Sequence, residues 1–207
     1  VPRKPAELTV QREDILSAAA AVFQERGYHG ATMADIAARV NLTAGSLYHH
    51  FPQGKRDLLL AVLNASIDAV LAEVEAIQHD PAPASDRLRR MIASHVVNVT
   101  NNISFGATMV FEIRALLDLE DADEDRERFL HRRAEFECCF REVIAQGIAA
   151  GEFRAVDVPV FVKAMLGAHN WISVWYRPDG RLSGAEIAQQ MIEMFLNALL
   201  CKDSTLT

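Results

Sequence analysis

Nine residues, TAGSLYHHF (Thr43–Phe51), gather Thr43, Ser46, Tyr48, His49 and His50 on a segment with no carboxylate. Hydroxyls, a phenol and imidazoles are neutral or weakly cationic hydrogen-bonding groups, suited to phosphate oxygens rather than to bond cleavage. Ala44 and Gly45 add no bulk, so the backbone beside them can approach a partner closely. Leu47 and Phe51, four residues apart, supply an apolar anchor on the opposite side. Thr32 and Lys55 flank the segment with one more hydroxyl and one cation.

The elements that hold these groups follow from apolar spacing, which is three and four almost everywhere. Ile15, Ala19, Val22 and Phe23 line a first helix from about 10 to 26, closed by Gly27. Thr32, three residues before Asp35, predicts the N-cap of a helix reaching Val40. Asn41-Leu42 turns the chain, Thr43 caps a second short helix, and Pro52 and Gly54 end it. Two short helices joined by a tight turn and buttressed by a third form a helix-turn-helix. In such a unit the second helix enters the major groove, about 12 Å wide, with its early residues at the base edges.

Further on, the spacing predicts helices at about 55–78, 84–100, 103–118, 123–150, 157–176 and 184–201, with no strand. The predicted class is all-α: a helix-turn-helix DNA-binding domain over 1–54 and a second helical domain over 55–207. The last two helices are apolar on more than one face: in the first, Val160, Ala164, Gly167 and Trp171 form one stripe and Phe161, Met165, Ala168, Ile172 and Trp175 another; in the second, Ile187, Met191, Met194 and Ala198 run beside Ile192, Phe195 and Leu199. So wide an apolar arc predicts contacts on two sides, one of them a second subunit. The acidic run Glu120–Asp125 reads as a helix-start cap rather than a metal site.

Charge is divided in keeping with this plan. The chain of 207 residues carries a net −7. Residues 1–58 hold seven basic and six acidic side chains; the remainder holds fourteen and twenty-two. An acidic body with a slightly basic head permits DNA contact at the head alone. No apolar run approaches the roughly 20 residues a bilayer span needs. With no apolar leader at VPRKPAELTV, a cytoplasmic protein is expected. The cysteines, Cys138, Cys139 and Cys201, lack metal-ligand spacing and read as reduced structural thiols. No grouping of Ser, His, Asp or Cys compels a catalytic reading, and no cofactor or metal is expected.

The stretch ATMADIAARVNLTAGSLYHHFPQGKRDLL, from Ala31 to about Leu60, closely resembles the DNA-binding signature of the TetR family of bacterial regulators. The matching residues are Thr32, the Ile36-Ala37 pair, the Leu47-Tyr48-His49-His50-Phe51 run, and Lys55 with Asp57-Leu58. The resemblance implies backbone contacts by Thr32, Ser46, Tyr48, His49, His50 and Lys55, and base reading at Thr43, Ala44 and Gly45. Gln53-Gly54-Lys55-Arg56 departs from the family's usual Ser-Lys-Glu, which leaves open which cation meets phosphate. Ala44 and Gly45 offer no side-chain hydrogen bonds, so DNA shape carries more of the readout.

The same resemblance implies that 55–207 is an effector-binding and dimerisation domain: a homodimer built from the last two helices, an operator of double-stranded DNA, and a small-molecule effector held between the helices starting near 55, 84, 103, 123 and 157. Phe105, Met109, Phe140, Met165, His169, Trp171 and Arg177 are the expected effector residues. His95, Asn98, Asn101, Asn102, His169 and Asn170 are polar residues in otherwise buried helices; a ligand is one candidate partner for them, and intrahelical or water partners are the other. NWISVWYRPDGRLS (Asn170–Ser183) resembles family members controlling fatty-acid and sterol-ring catabolism. That implies a hydrophobic effector or an acyl-CoA thioester, with Lys163, Arg177, Arg181 or Arg114 facing its phosphates. Two other functions compete: a protein of this fold acting through a protein partner, and an all-helical enzyme with a fortuitous helix-turn-helix.

Overall fold

In a computed structural model, which describes residues 10–117 and 124–200, the described residues form ten helices and no strand longer than a single bridge. They are α1 (Arg12–Gly30), α2 (Met33–Arg39), α3 (Ala44–His50), α4 (Lys55–Gln78), α5 (Ala84–Asn101), α6 (Ile103–Phe111), α7 (Ile113–Leu117), α8 (Glu124–Ala149), α9 (Val158–Trp175) and α10 (Gly184–Leu199). The expected 103–118 helix is two pieces, broken at Glu112. The run Glu120–Asp125 lies mostly outside the described residues, as do Arg3, Lys4 and Cys201.

The head is a three-helix cluster whose sequence specifies its own ends. Thr32 and Asp35 make a reciprocal capping box, Asp35 N–H donating to Thr32 Oγ1 at 3.1 Å and Thr32 N–H to the Asp35 carboxylate at 3.1 Å. The Thr32 hydroxyl, with an Arg26 ion pair at 2.6 Å, holds the Asp35 carboxyl below its ordinary range. Ile36, Leu47, Phe51 and Phe23 interlock beneath and are almost wholly buried. That apolar floor fixes the α2–α3 angle, and truncating one of its larger members would cost about 2–5 kcal/mol.

α4 joins head to body as one unbroken helix. Its 24 residues span about 36 Å at 1.5 Å per residue. Leu58, Leu59, Val62 and Leu63 pack into the head, while Val70, Val74 and Ile77 pack into the body. A bent α1 adds a second connection. Gly27 adopts φ +66°, which interrupts the helix and releases the Tyr28 N–H from its helical acceptor. The buried Glu112 carboxylate, from the α6–α7 break, accepts that N–H at 3.0 Å. Thr108 and Ser104 of α6 tie the same seam to Ala20 and Gln24 of α1.

In the body, α5, α8, α9 and α10 pack around Leu88, Met91, Ile92, Phe140 and Ile144. The Glu152 carboxylate stitches the α4–α5 loop by accepting from the Ala84 and Ser85 N–H groups, both at 2.9 Å. α9 and α10 each start on a side-chain cap, Asp157 and Ser183.

Candidate DNA interface and effector cavity

α3 presents the polar set and buries its anchor. Leu47 is fully buried, while Tyr48, His49 and His50 are exposed. Thr43 Oγ1 accepts the Ser46 N–H at 3.1 Å and lies 2.9 Å from Ser46 Oγ, so the two hydroxyls form one local cluster at the helix start. Gly54, at φ +71°, places its backbone under the Tyr48 ring; a Cβ there would stand 3.2 Å from Tyr48 Cε1. Any larger residue at position 54 would therefore crowd the phenol ring. Tyr48 remains 49% exposed, so it is no ordinary core aromatic.

Lys55 also has partners within the protein. Its Nζ donates to the Tyr28 carbonyl at 2.7 Å and the His29 carbonyl at 3.4 Å, and lies 4.8 Å from the Tyr28 ring centroid. These carbonyls end the kinked tail of α1 and lack helical donors, so the ammonium caps them. Arg56 bonds Gln53 at 2.5 Å beside it. The Asp57 carboxylate accepts the Gln53 N–H at 2.7 Å.

A cavity of about 440 Å³ opens between α4, α5, α6, α8 and α9. Ala65, Ala69 and Val70 of α4, Phe105 and Met109 of α6, and Phe136 of α8 supply its apolar wall. His95, Asn98 and Asn102 of α5 and Asn170 of α9 form a polar strip. Arg133, Glu137 and Lys163 are its charged residues; Glu137 lies 3.2 Å from Lys163 and also pairs with Arg141. Burial drives His95 down to about 4, against a hydrogen bond with the Asn170 side chain, so its imidazole is neutral at physiological pH. No described group of three or more His, Cys, Asp or Glu is placed to hold a metal ion. Cys138 is exposed and Cys139 buried, and burial pushes the Cys139 thiol up to about 12.

Among the expected effector residues, Phe105 and Met109 line this cavity and five do not. Phe140, Met165 and His169 are fully buried behind the wall, because their helical phase points them into the α5–α8–α9 core. Trp171 is 51% exposed on the outer face of α9, its ring 6.2 Å from Phe111. Arg177 lies past the end of α9 and donates to the Tyr176 carbonyl at 3.0 Å. Of the proposed phosphate cations, Lys163 alone is a lining residue. The sequence places α4 among the cavity walls, but its lining residues were not singled out. Their signal is the small-residue group Ala65, Ser66 and Ala69 on a helix whose buried positions are Leu, Ile and Val, which leaves room beside it.

Val160 (64% exposed), Trp171, Trp175 and Met194 make an apolar surface on α9 and α10. No described helix is long and apolar enough to cross a membrane.

Comparison with known proteins agrees with this layout. Residues 15–62 match the family model described as bacterial regulatory proteins, tetR family, and residues 81–199 match a tetracyclin repressor-like C-terminal domain. The chain is 26% identical over 200 residues to the HTH-type transcriptional repressor KstR2 of Mycolicibacterium smegmatis, covering 96% of this chain and 95% of that protein. The solved structure of the ketosteroid transcriptional regulator KstR2 of Mycobacterium tuberculosis superposes with a TM-score of 0.83 at 25% identity, over 97% of this chain and 100% of that one. AibR, solved in complex with isovaleryl coenzyme A and operator DNA, gives 0.72 at 32% identity over 88% and 96% of the two chains. Together the two matched regions, the exposed polar α3 and the wholly helical body place this chain in the TetR family of transcriptional regulators.

Proposed function

We propose that this protein is a transcriptional repressor that binds a palindromic operator as a homodimer and releases it when a hydrophobic effector, an acyl-CoA-like thioester, fills the cavity. One observation carries the reading: α4 leaves the DNA-binding head directly after α3 and then forms a wall of the cavity through Ala65, Ala69 and Val70. The α1–α6 seam at Glu112 is a second mechanical link between the same two regions. The names of the KstR2 relatives and the contents of the AibR complex support the reading. So does the charge division, which leaves the head as the one region without an acidic excess.

Thr32, Ser46, Tyr48, His49 and His50 contact the DNA backbone, and the start of α3 at Thr43, Ala44 and Gly45 faces the bases. Lys55 holds the Tyr28 and His29 carbonyls with two of its N–H groups and offers the third to a phosphate. The 1–54 and 55–207 regions act as reader and sensor. The apolar face of α9 and α10 joins the two subunits.

Effector releases DNA only if it binds better to the conformation whose recognition helices no longer match successive major grooves, about 34–36 Å apart. Linkage then demands that operator weaken effector binding by the factor with which effector weakens operator binding. Calorimetric titration of octanoyl-CoA into the protein, with and without DNA from the region flanking its own gene, tests this. Unequal affinities are expected; equal affinities exclude derepression by this class of compound.

A further inference from the structure

The helices of the body contain four glycines, and packing accounts for three of them. A Cβ on Gly106 of α6 would stand 3.0 Å from Ser173 Cβ of α9; one on Gly147 of α8 would strike Phe153, and one on Gly184 of α10 would strike Thr100. Gly167, in the middle of α9, has no such neighbour: nothing lies within 4 Å of the Cβ it lacks. Nor does its backbone call for glycine, since it is helical and its φ is not positive. Glycine is the poorest helix former after proline, so an unforced one inside an 18-residue helix weakens it. The packing of this chain gives no reason to leave position 167 bare.

Its place at the cavity does. At about 100° per residue, Lys163, Leu166 and Asn170 fall on one side of Gly167 and line the cavity. Val160 and Trp171 fall on the other side and face outward. Gly167 stands at the border, lining the cavity and exposed. Further exposed lining residues, Ala69 of α4, Asn102 between α5 and α6, Arg133 of α8 and Lys163, continue a rim around the opening. His95, Val99 and Phe136 are buried below it. Lys163 is paired with Glu137, which lines the cavity beside it, at 3.2 Å. At Gly167 the rim is uncharged main chain.

Volume makes this opening matter. At the ~30 Å³ that a water takes up in the liquid, a cavity of about 440 Å³ admits about fifteen non-hydrogen atoms. The acyl group of octanoyl-CoA fits within that number; the rest of the molecule, several times larger, does not. Such an effector must cross the rim, and the section next to its acyl group is the slender, uncharged pantetheine arm. Bare main chain leaves room for that arm, and a side chain at position 167 would stand in its way.

We propose that Gly167 is the portal residue of the cavity: the acyl group lies inside, and the pantetheine arm leaves over the α9 backbone at this glycine. The assignment rests on the effector class proposed above.

Calorimetry of the full chain with octanoyl-CoA and with butanoyl-CoA tests it, on wild type, Gly167→Ala and Gly167→Leu. Both variants should melt no lower than wild type, because the added atoms meet open space and α9 gains a better helix former. Gly167→Leu should weaken both thioesters by the same factor, on the order of ten- to a hundredfold, as bulk forced into occupied space does. Gly167→Ala should weaken both by a smaller factor. Equal factors at the two chain lengths mark the mouth, since both compounds carry the same arm. A loss for octanoyl-CoA that spares butanoyl-CoA would place position 167 in the acyl space, and undiminished binding in Gly167→Leu would take it out of the ligand's path. Either result overturns the portal and leaves the effector class standing. So would a lower melting temperature in Gly167→Ala, which would show the position packed, or a Gly167→Leu that sediments as monomer beside a dimeric wild type, which would assign the glycine to subunit contact. Binding of neither thioester by wild type would instead overturn the effector class, and the portal with it.

Discussion

Replacing Trp171 with alanine should separate the subunits without unfolding them. Trp171 and Trp175 are 51% and 47% exposed on α9, beside Val160 at 64% and Met194 of α10 at 61%. A tryptophan side chain carries on the order of 250 Å², so half of it is about 125 Å², worth ~3 kcal/mol when covered. A twofold interface uses the residue twice, which doubles the loss to ~6 kcal/mol, or about four decades in the dimer dissociation constant. The ring's contact with Phe111 is already present within one chain and drops out of the comparison. Sedimentation velocity over a concentration series should show wild type near twice the 23.0 kDa chain mass and Trp171→Ala as monomer at micromolar concentration. Its melting temperature, extrapolated to equal oligomeric state, should be close to wild type. An undiminished dimer in the variant would refute the assignment of α9 to the interface, and a monomeric wild type would refute the dimer.

Tyr48→Ala should weaken binding to operator and to scrambled DNA by similar factors, because the phenol is assigned to phosphate; a loss confined to operator would move Tyr48 to base reading. Lys55→Ala should speed amide exchange at Tyr28–Ala31, measured by hydrogen–deuterium exchange, since it uncaps the Tyr28 and His29 carbonyls; unchanged exchange would return Lys55 to a purely phosphate role. Glu112→Ala should do the same at the Tyr28 amide and reduce the factor by which effector weakens DNA binding, whereas Glu112→Gln, which keeps an acceptor, should preserve most of it; full coupling in the alanine variant would leave α4 as the sole link. Stability should fall between pH 6.5 and about 4: unfolded His95 takes up its proton near 6.5 and the folded one only near 4, so stability present above 6.5 is lost as pH falls, to the extent of about 3 kcal/mol. His169 acts in the same direction. Replacing both histidines with phenylalanine should flatten the loss from pH 6.5 to 5, a window above the range where Asp35, Asp80 and Glu152 titrate; an unchanged slope there would place the sensitivity elsewhere.

Helix positions were legible because each end is written in local chemistry. Thr32-Asp35, Thr43-Ser46 and Ser183-Glu186 are caps whose partners lie three residues apart, and apolar phase does the rest. α4 begins at Lys55 and ends at Gln78 where spacing placed it. The break at Glu112 was not legible, since nothing in VFEIRAL interrupts a helix by propensity; the carboxylate leaves the helix to reach an N–H 84 positions away. The same limit governs the cavity. Phe140, Met165 and His169 differ from Phe105 and Met109 only in the direction their helix turns them, and crossing angles set that direction. Arg177 and Trp171 were drawn in by their chemistry, although the chain carries one past the helix end and the other to its outer face. Small residues report a void better than large ones, as Ala65, Ser66 and Ala69 show.

The central claim is that α3 reads an operator and the cavity governs that reading. Fluorescence anisotropy with labelled DNA from the region flanking the protein's own gene, titrated with protein at fixed salt and then with octanoyl-CoA, measures both at once. Binding at least about a thousandfold tighter than to scrambled DNA, followed by release in proportion to bound octanoyl-CoA, is the predicted result. Equal affinity for operator and scrambled DNA would contradict the account.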